Sequence, residues 1–203
     1  MSHSAAIDIH AAEHSSGPAG LSSGKLGVWL LISSEIMIFG GLIACYVLFR
    51  LAHPEWAHEA GHLSVTLGTI NTIILLTSSY TVARAFAAQN RGESGAVIRF
   101  LAVTVILAVA FLGIKSYEYY SKISIGILPA SGTFWSFYFF MTGFHALHVI
   151  VGALALFILM LYAIRGRLAP IGHRVELCAL YWHMVDVVWI FLFPLLYLSS
   201  SGG

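Results

Sequence analysis

The chain has 203 residues, of which 59% are hydrophobic and only 9% charged, with a formal net charge of +1. Soluble domains carry charge on about a quarter of their residues, so a mean hydropathy of +0.86 marks a membrane protein and excludes a large soluble catalytic domain. The near-zero charge offers no basic surface for nucleic acid. Cys45 and Cys178 lie in apolar stretches without ligand spacing, which argues against a disulfide framework or zinc site and makes both packing residues.

Residues 1–24 are rich in Ser, Ala, Gly and His and lack the apolar stretch of a secretory signal, so they read as a mobile aqueous tail. Residues 25–203 then form one transmembrane domain. Its apolar runs fall at 27–49, 65–87, 97–117, 134–163 and 177–198, each long enough to cross a hydrocarbon core of about 30 Å. The runs are continuously apolar instead of alternating, which disfavours a barrel. The expected fold is all-α, a multi-pass bundle of five transmembrane helices.

The connections are short and their basic residues uneven. Lys25, Arg84, Arg91, Arg99, Arg165, Arg167 and Arg174 fall on one side, against Arg50 and Lys122 on the other. Excess Lys and Arg mark the cytoplasmic side, so the amino terminus is expected in the cytoplasm and the carboxyl terminus outside. The first external loop gathers Glu55 and Glu59 with His53, His58 and His62; their spacing matches no metal motif, and an ordinary solvated loop is expected. Trp29, Trp56, Trp135, Tyr119 and Tyr120 fall near the interfaces, where amphipathic rings anchor helices.

Ionisable groups are costly in hydrocarbon, so those inside the spans carry the information. Glu35, His145, His148, His183 and Asp186 all fall at one depth, about 12–17 Å from the helix ends at 1.5 Å per residue. This intramembrane polar layer is expected to point into the bundle or a partner protein. His145 with His148, and His183 with Asp186, are three apart and share helix faces. Two readings follow: metal or haem ligation by imidazole, or a buried hydrogen-bond network that locks helix packing, which spacing alone favours. Glu35 is also a candidate proton-relay or lipid-region acid, because burial favours the protonated form of a carboxyl. Lys115 and Glu118, three apart near a helix end, are expected to pair or snorkel outward. Gly40, Gly41, Gly143 and Gly152 offer close helix contacts, and Pro194 should kink or end the last helix.

Four stretches carry a resemblance: ISSEIMIFGGLIACY from Ile32, SYEYY from Ser116, GFHALHVIVG from Gly143 and YWHMVDVVWIFLF from Tyr181. Together they resemble subunit III of the haem-copper terminal oxidases in the bacterial five-helix form, over residues 25 to 199. The resemblance places buried acids at Glu35 and Glu118 and makes Glu118 the second candidate relay acid. It implies a chain without haem or copper of its own, not catalytic alone. Such a chain packs against the catalytic subunit I, with subunit II in the same complex, where haem and copper reside and dioxygen is reduced to water with proton pumping. It also implies bound phospholipid, a stabilising role for the chain, a structural role for His145, His148, His183 and Asp186, and a bacterial cytoplasmic membrane. The two amino-terminal helices that wall the lipid cleft in seven-helix relatives are absent.

Cytochrome c is the favoured electron donor, because some quinol-oxidase relatives carry Asp at the place of Glu35. The alternatives are subunit III of a quinol oxidase, an accessory membrane protein of a nitric oxide reductase system, and, from another class, a self-contained haem- or metal-binding redox enzyme. Against the last stands the three-residue His spacing, since transmembrane bis-His haem sites place paired ligands about two turns or more apart. A transporter is disfavoured by the lack of an inverted repeat.

Overall fold

The computed structural model describes residues 23–168 and 172–198. Its elements in chain order are α1 (Ser23–Ala52), the short α2 (Trp56–Ala60), α3 (Val65–Asn90), α4 (Ser94–Ser124), a 3-10 turn (Pro129–Ser131), α5 (Thr133–Ile164) and α6 (His173–Tyr197). Five of these, α1, α3, α4, α5 and α6, are long and apolar enough to cross a membrane, and the five apolar runs fall on them. The amino-terminal tail lies outside the described residues, except that Ser23 and Gly24 already belong to α1.

Local chemistry sets the ends. Ser64 caps α3 by accepting from the Leu67 N–H at 3.4 Å, a use of a short hydroxyl that satisfies one orphan donor of the first turn. At the far end Gly92 takes φ +72°, and Glu93 N–H reaches back to Ala88 O at 3.0 Å. Gly166 repeats the device after α5, with φ +65° and Arg167 N–H donating to Tyr162 O at 2.9 Å. Both positions require the left-handed conformation that glycine adopts without a Cβ penalty. In α6 the helix continues three residues past Pro194, whose carbonyl accepts from Leu198 N–H at 3.2 Å.

Helices α3 to α6 form the core, each antiparallel to the one before. Across α3 and α6, Trp182 Nε1 donates to Ser78 Oγ and Trp189 Nε1 to Thr72 Oγ1, both at 3.0 Å. Close approach is built in at two glycines: a Cβ at Gly152 would come within 2.8 Å of the Trp182 ring, and one at Gly68 within 2.7 Å of Phe193. By contrast Gly40 and Gly41, expected at a helix contact, have no atom within 4 Å of such a Cβ. They lie on the open side of α1, where Gly40 lines an apolar groove of 270 Å³ with Phe39, Ile43, Val187, Val188 and Phe191.

Helix α1 runs parallel to α6, tied by Lys25 Nζ to Glu176 Oε1 at 2.8 Å near one end and by Tyr46 OH to Leu195 O at 3.1 Å near the other. It is the peripheral helix: 6% of its most apolar window is buried, against 50% for α6. The topology brings Lys25, Arg84, Arg91, Arg99, Arg165, Arg167 and Arg174 to one end of the bundle, the basic end, and the α1–α3 loop to the other, the loop end.

That loop is not simply solvated. Trp56, Ala60 and Leu63 are buried, Trp135 Nε1 donates to Glu59 Oε2 at 2.7 Å, and Lys122 Nζ donates to His62 O. Trp56 and Trp135, expected as interfacial anchors, are 5% and 4% exposed, whereas Trp29 and Tyr120 stand out at 50% and 72%. Aromatic packing accounts for the burial: Trp56 stacks on Phe49 and His53 and meets Phe134 and Phe137.

Candidate functional site: two acid–base centres in the bundle

The buried face of α4 runs Val97, Leu101, Thr104, Ala108, Phe111, Lys115, Glu118 and Lys122, alternating steps of four and three. This is the seam spacing of a packed helix, and its last members are charged. Lys115 and Glu118 are 3% and 2% exposed, so of the two expectations the pair forms and the outward snorkelling does not occur. Lys115 Nζ donates to Glu118 Oε2 at 2.9 Å, to Tyr197 OH at 2.8 Å and to Tyr138 OH at 3.3 Å, which uses all three ammonium protons. Tyr197 OH in turn donates to Glu118 Oε2 at 2.8 Å. The ammonium also sits 5.1–5.5 Å from the ring centroids of Tyr119, Tyr138, Trp189 and Tyr197, within reach of cation–π attraction. Removing one partner of such a pair leaves an uncompensated buried charge at a cost of about 3–5 kcal/mol.

The second centre lies where α1 meets α5. Glu35 Oε2 is 3.1 Å from His148 Nε2, both side chains about one-eighth exposed at 13% and 12%. His148 Nδ1 is 2.8 Å from Phe144 O. A carbonyl can only accept, so Nδ1 carries the proton. Nε2 of the same ring faces the Glu35 carboxyl. The contact is at ion-pair distance but off the line of ring N–H donation, since Glu35 Oε2 makes no aligned hydrogen bond. Phe39 and Phe144 close over the imidazole.

Of the five residues of the expected layer, only Glu35 and His148 come together. His183 Nδ1 bonds Ser79 Oγ of α3 at 2.6 Å and makes no direct bond to Asp186, which is 3% exposed and faces the same Ser79 hydroxyl. His145 turns away from His148 into the core, edge-on to Phe111 at 5.7 Å and tilted on Trp189 at 5.2 Å, with neither ring nitrogen hydrogen-bonded. Three residues on a helix turn about 300°, and the remaining 60° is enough to aim two side chains at different neighbours. Among the described residues no three His, Cys, Asp or Glu gather to hold a metal ion. In the loop, His53 Nδ1 meets Glu55 Oε1 at 2.8 Å and His58 meets His62 edge-on at 5.4 Å. A backbone hydrogen bond and then His53 hold the Glu55 carboxyl below its ordinary value.

Several contributors were not singled out from the sequence. Tyr138 and Tyr197 complete the Lys115 cage, Thr81 and Thr104 share a hydroxyl bond at 2.8 Å, and Asn71 is fully buried with both amide atoms unpartnered. The signal for Lys115 and Glu118 was the seam spacing itself.

Comparison with known proteins agrees on one family. The family described as "Cytochrome c oxidase subunit III" matches residues 10–201. A cytochrome c oxidase subunit 3 of Corynebacterium diphtheriae is 36% identical over 85% of this chain and 86% of its own length. One from Thermostichus vulcanus is 34% identical over 86% and 87%. A cytochrome bo(3) ubiquinol oxidase subunit 3 of Pseudomonas aeruginosa is 33% identical over 96% and 94%.

Proposed function

The chain belongs to the cytochrome c oxidase subunit III family, and from that premise we propose that it is the stabilising, non-redox subunit of a proton-pumping haem-copper oxidase. One observation carries this reading. Several ionisable groups within its spans engage other helices of the same chain: Lys115 bonds Tyr138 and Tyr197, His183 bonds Ser79, and Glu35 lies against His148. Groups so used hold a bundle together; haem, copper and dioxygen chemistry then belong to subunits I and II. Peripheral α1, apolar on its open faces at Leu30, Ile36, Met37, Leu48 and Leu51, is the surface left for subunit I and phospholipid. The apolar groove between α1 and α6 suits an acyl chain. The basic end faces the cytoplasm of a bacterial cell, which sets the amino-terminal side within and the loop end outside.

Cytochrome c is the donor in this reading. A quinol oxidase is the second reading, favoured by the near-complete overlap with the ubiquinol oxidase subunit. The test is to purify the oxidase with and without this chain. The expected result is an unchanged haem spectrum and initial rate of dioxygen reduction with reduced cytochrome c, but faster loss of activity during turnover. Loss of haem absorbance with the chain would overturn the non-redox assignment, and oxidation of quinol instead of cytochrome c would select the second reading.

A further inference from the structure

The α3–α6 register sets a third feature. Trp189 Nε1 binds Thr72 Oγ1, and a Cβ at Gly68 would touch Phe193 and Tyr197. Asn71, on the buried stripe Gly68, Asn71, Leu75 and Ser78, therefore lies between the levels of Tyr197 and Trp189. From α5, His145 reaches the same indole at 5.2 Å. From α4, the Lys115 ammonium lies 5.5 Å from that ring with Glu118 attached. The helices packed around this tryptophan thus carry five polar atoms without hydrogen bonds: Asn71 Oδ1 and Nδ2 on α3, Glu118 Oε1 on α4, and His145 Nδ1 and Nε2 on α5. The three residues are 0%, 1% and 2% exposed.

An unsatisfied buried polar group is destabilising, and native interiors satisfy nearly all of them. Lipid cannot do so, and the protein atoms within reach do not. The ligand that fits is one that both donates and accepts and is small enough for a bundle core. The geometry points to a cluster of ordered waters around Trp189 that bridges Asn71, His145 and Glu118, joining the caged ion pair of α4 to the imidazole of α5 through hydrogen bonds. Asn71 supplies a donor and an acceptor, Glu118 Oε1 an acceptor, and each neutral imidazole tautomer one of each. A buried water needs two to four such partners, and these residues provide them.

The test uses the detergent-solubilised complex that contains this chain. A density map at about 2 Å resolution is expected to show water peaks within hydrogen-bond reach of Asn71 and His145. Dry packing there, or direct side-chain bonds between these residues, overturns the inference. Asn71→Leu, His145→Phe and the double variant give an independent reading by thermal unfolding of the chain. Shared waters predict that each single variant lowers the midpoint by about 2–4 °C and that the double loses less than the sum. Additive losses, or gains from either single variant, would mean independent unsatisfied groups and overturn it too. If a single variant fails to assemble, the wild-type map still decides.

Discussion

Lys115–Glu118 and Glu35–His148 are both acid–base contacts within membrane-spanning helices, yet their surroundings differ in every respect. The first is held by two tyrosines and four rings from three helices; the second is one misaligned contact between a peripheral helix and its neighbour. The lesson is that the same pair of charges serves different ends according to what encloses it. A fully enclosed pair is an all-or-nothing constraint on the helices that make it, whereas a single contact on a peripheral helix constrains only the place where the two helices meet.

The comparison breaks most readily at Lys115. Lys115→Met is expected to destabilise the chain by about 3–5 kcal/mol by leaving Glu118 uncompensated, and Lys115→Met with Glu118→Leu to recover most of that. Thermal unfolding of the purified complex measures both; equal losses in single and double variants would remove the constraint argument. A smaller effect is expected at the other centre. Glu35→Ala should cost less than Lys115→Met, because a single contact is lost, and Glu35→Gln less still, because its amide N–H can donate to Nε2 of His148. A larger loss from glutamine than from alanine would contradict the proton assignment.

The smallest effect sharpens the contrast with exposed pairs. At the α3–α4 turn, Arg91 Nε and Nη2 donate to the two oxygens of Glu93 at 2.8 and 3.1 Å, and that hydrogen bonding holds the Glu93 carboxyl below its ordinary value. A depressed folded value stabilises above the unfolded carboxylate value of about 4.3 and is lost as pH falls through the lower folded one. Unfolding midpoints of wild type and Arg91→Gln should therefore differ slightly near neutral pH and converge below about pH 4. No convergence would mean that the pair contributes nothing to the turn.

The five helices were legible because twenty-odd apolar residues in a row have few other uses. Helix limits were less so. The apolar run of α4 stops at residue 117, but the helix continues to Ser124, because Glu118 and Lys122 extend the buried seam instead of ending it. Hydropathy averages penalise charge wherever it points, so only the four-three spacing from Val97 onward could reveal that these charges face inward. The acids and histidines of the site were equally visible, but their partners were not. Spacing of three suggested His183 with Asp186, while Ser79, 104 positions away in the chain, holds the ring. Such contacts depend on which helix lies alongside, and no local pattern encodes that. The family resemblance supplied the role of the chain but not the cage around Lys115.

The inward charges at the end of α4 also bear on biogenesis. Alone in a bilayer that segment would carry the Lys115–Glu118 pair without its cage, since both tyrosines that bond the ammonium arrive later in translation, on α5 and α6. The buried pair therefore gains its full set of hydrogen bonds only once three spans are together, which ties the end of α4 to the two segments that follow it.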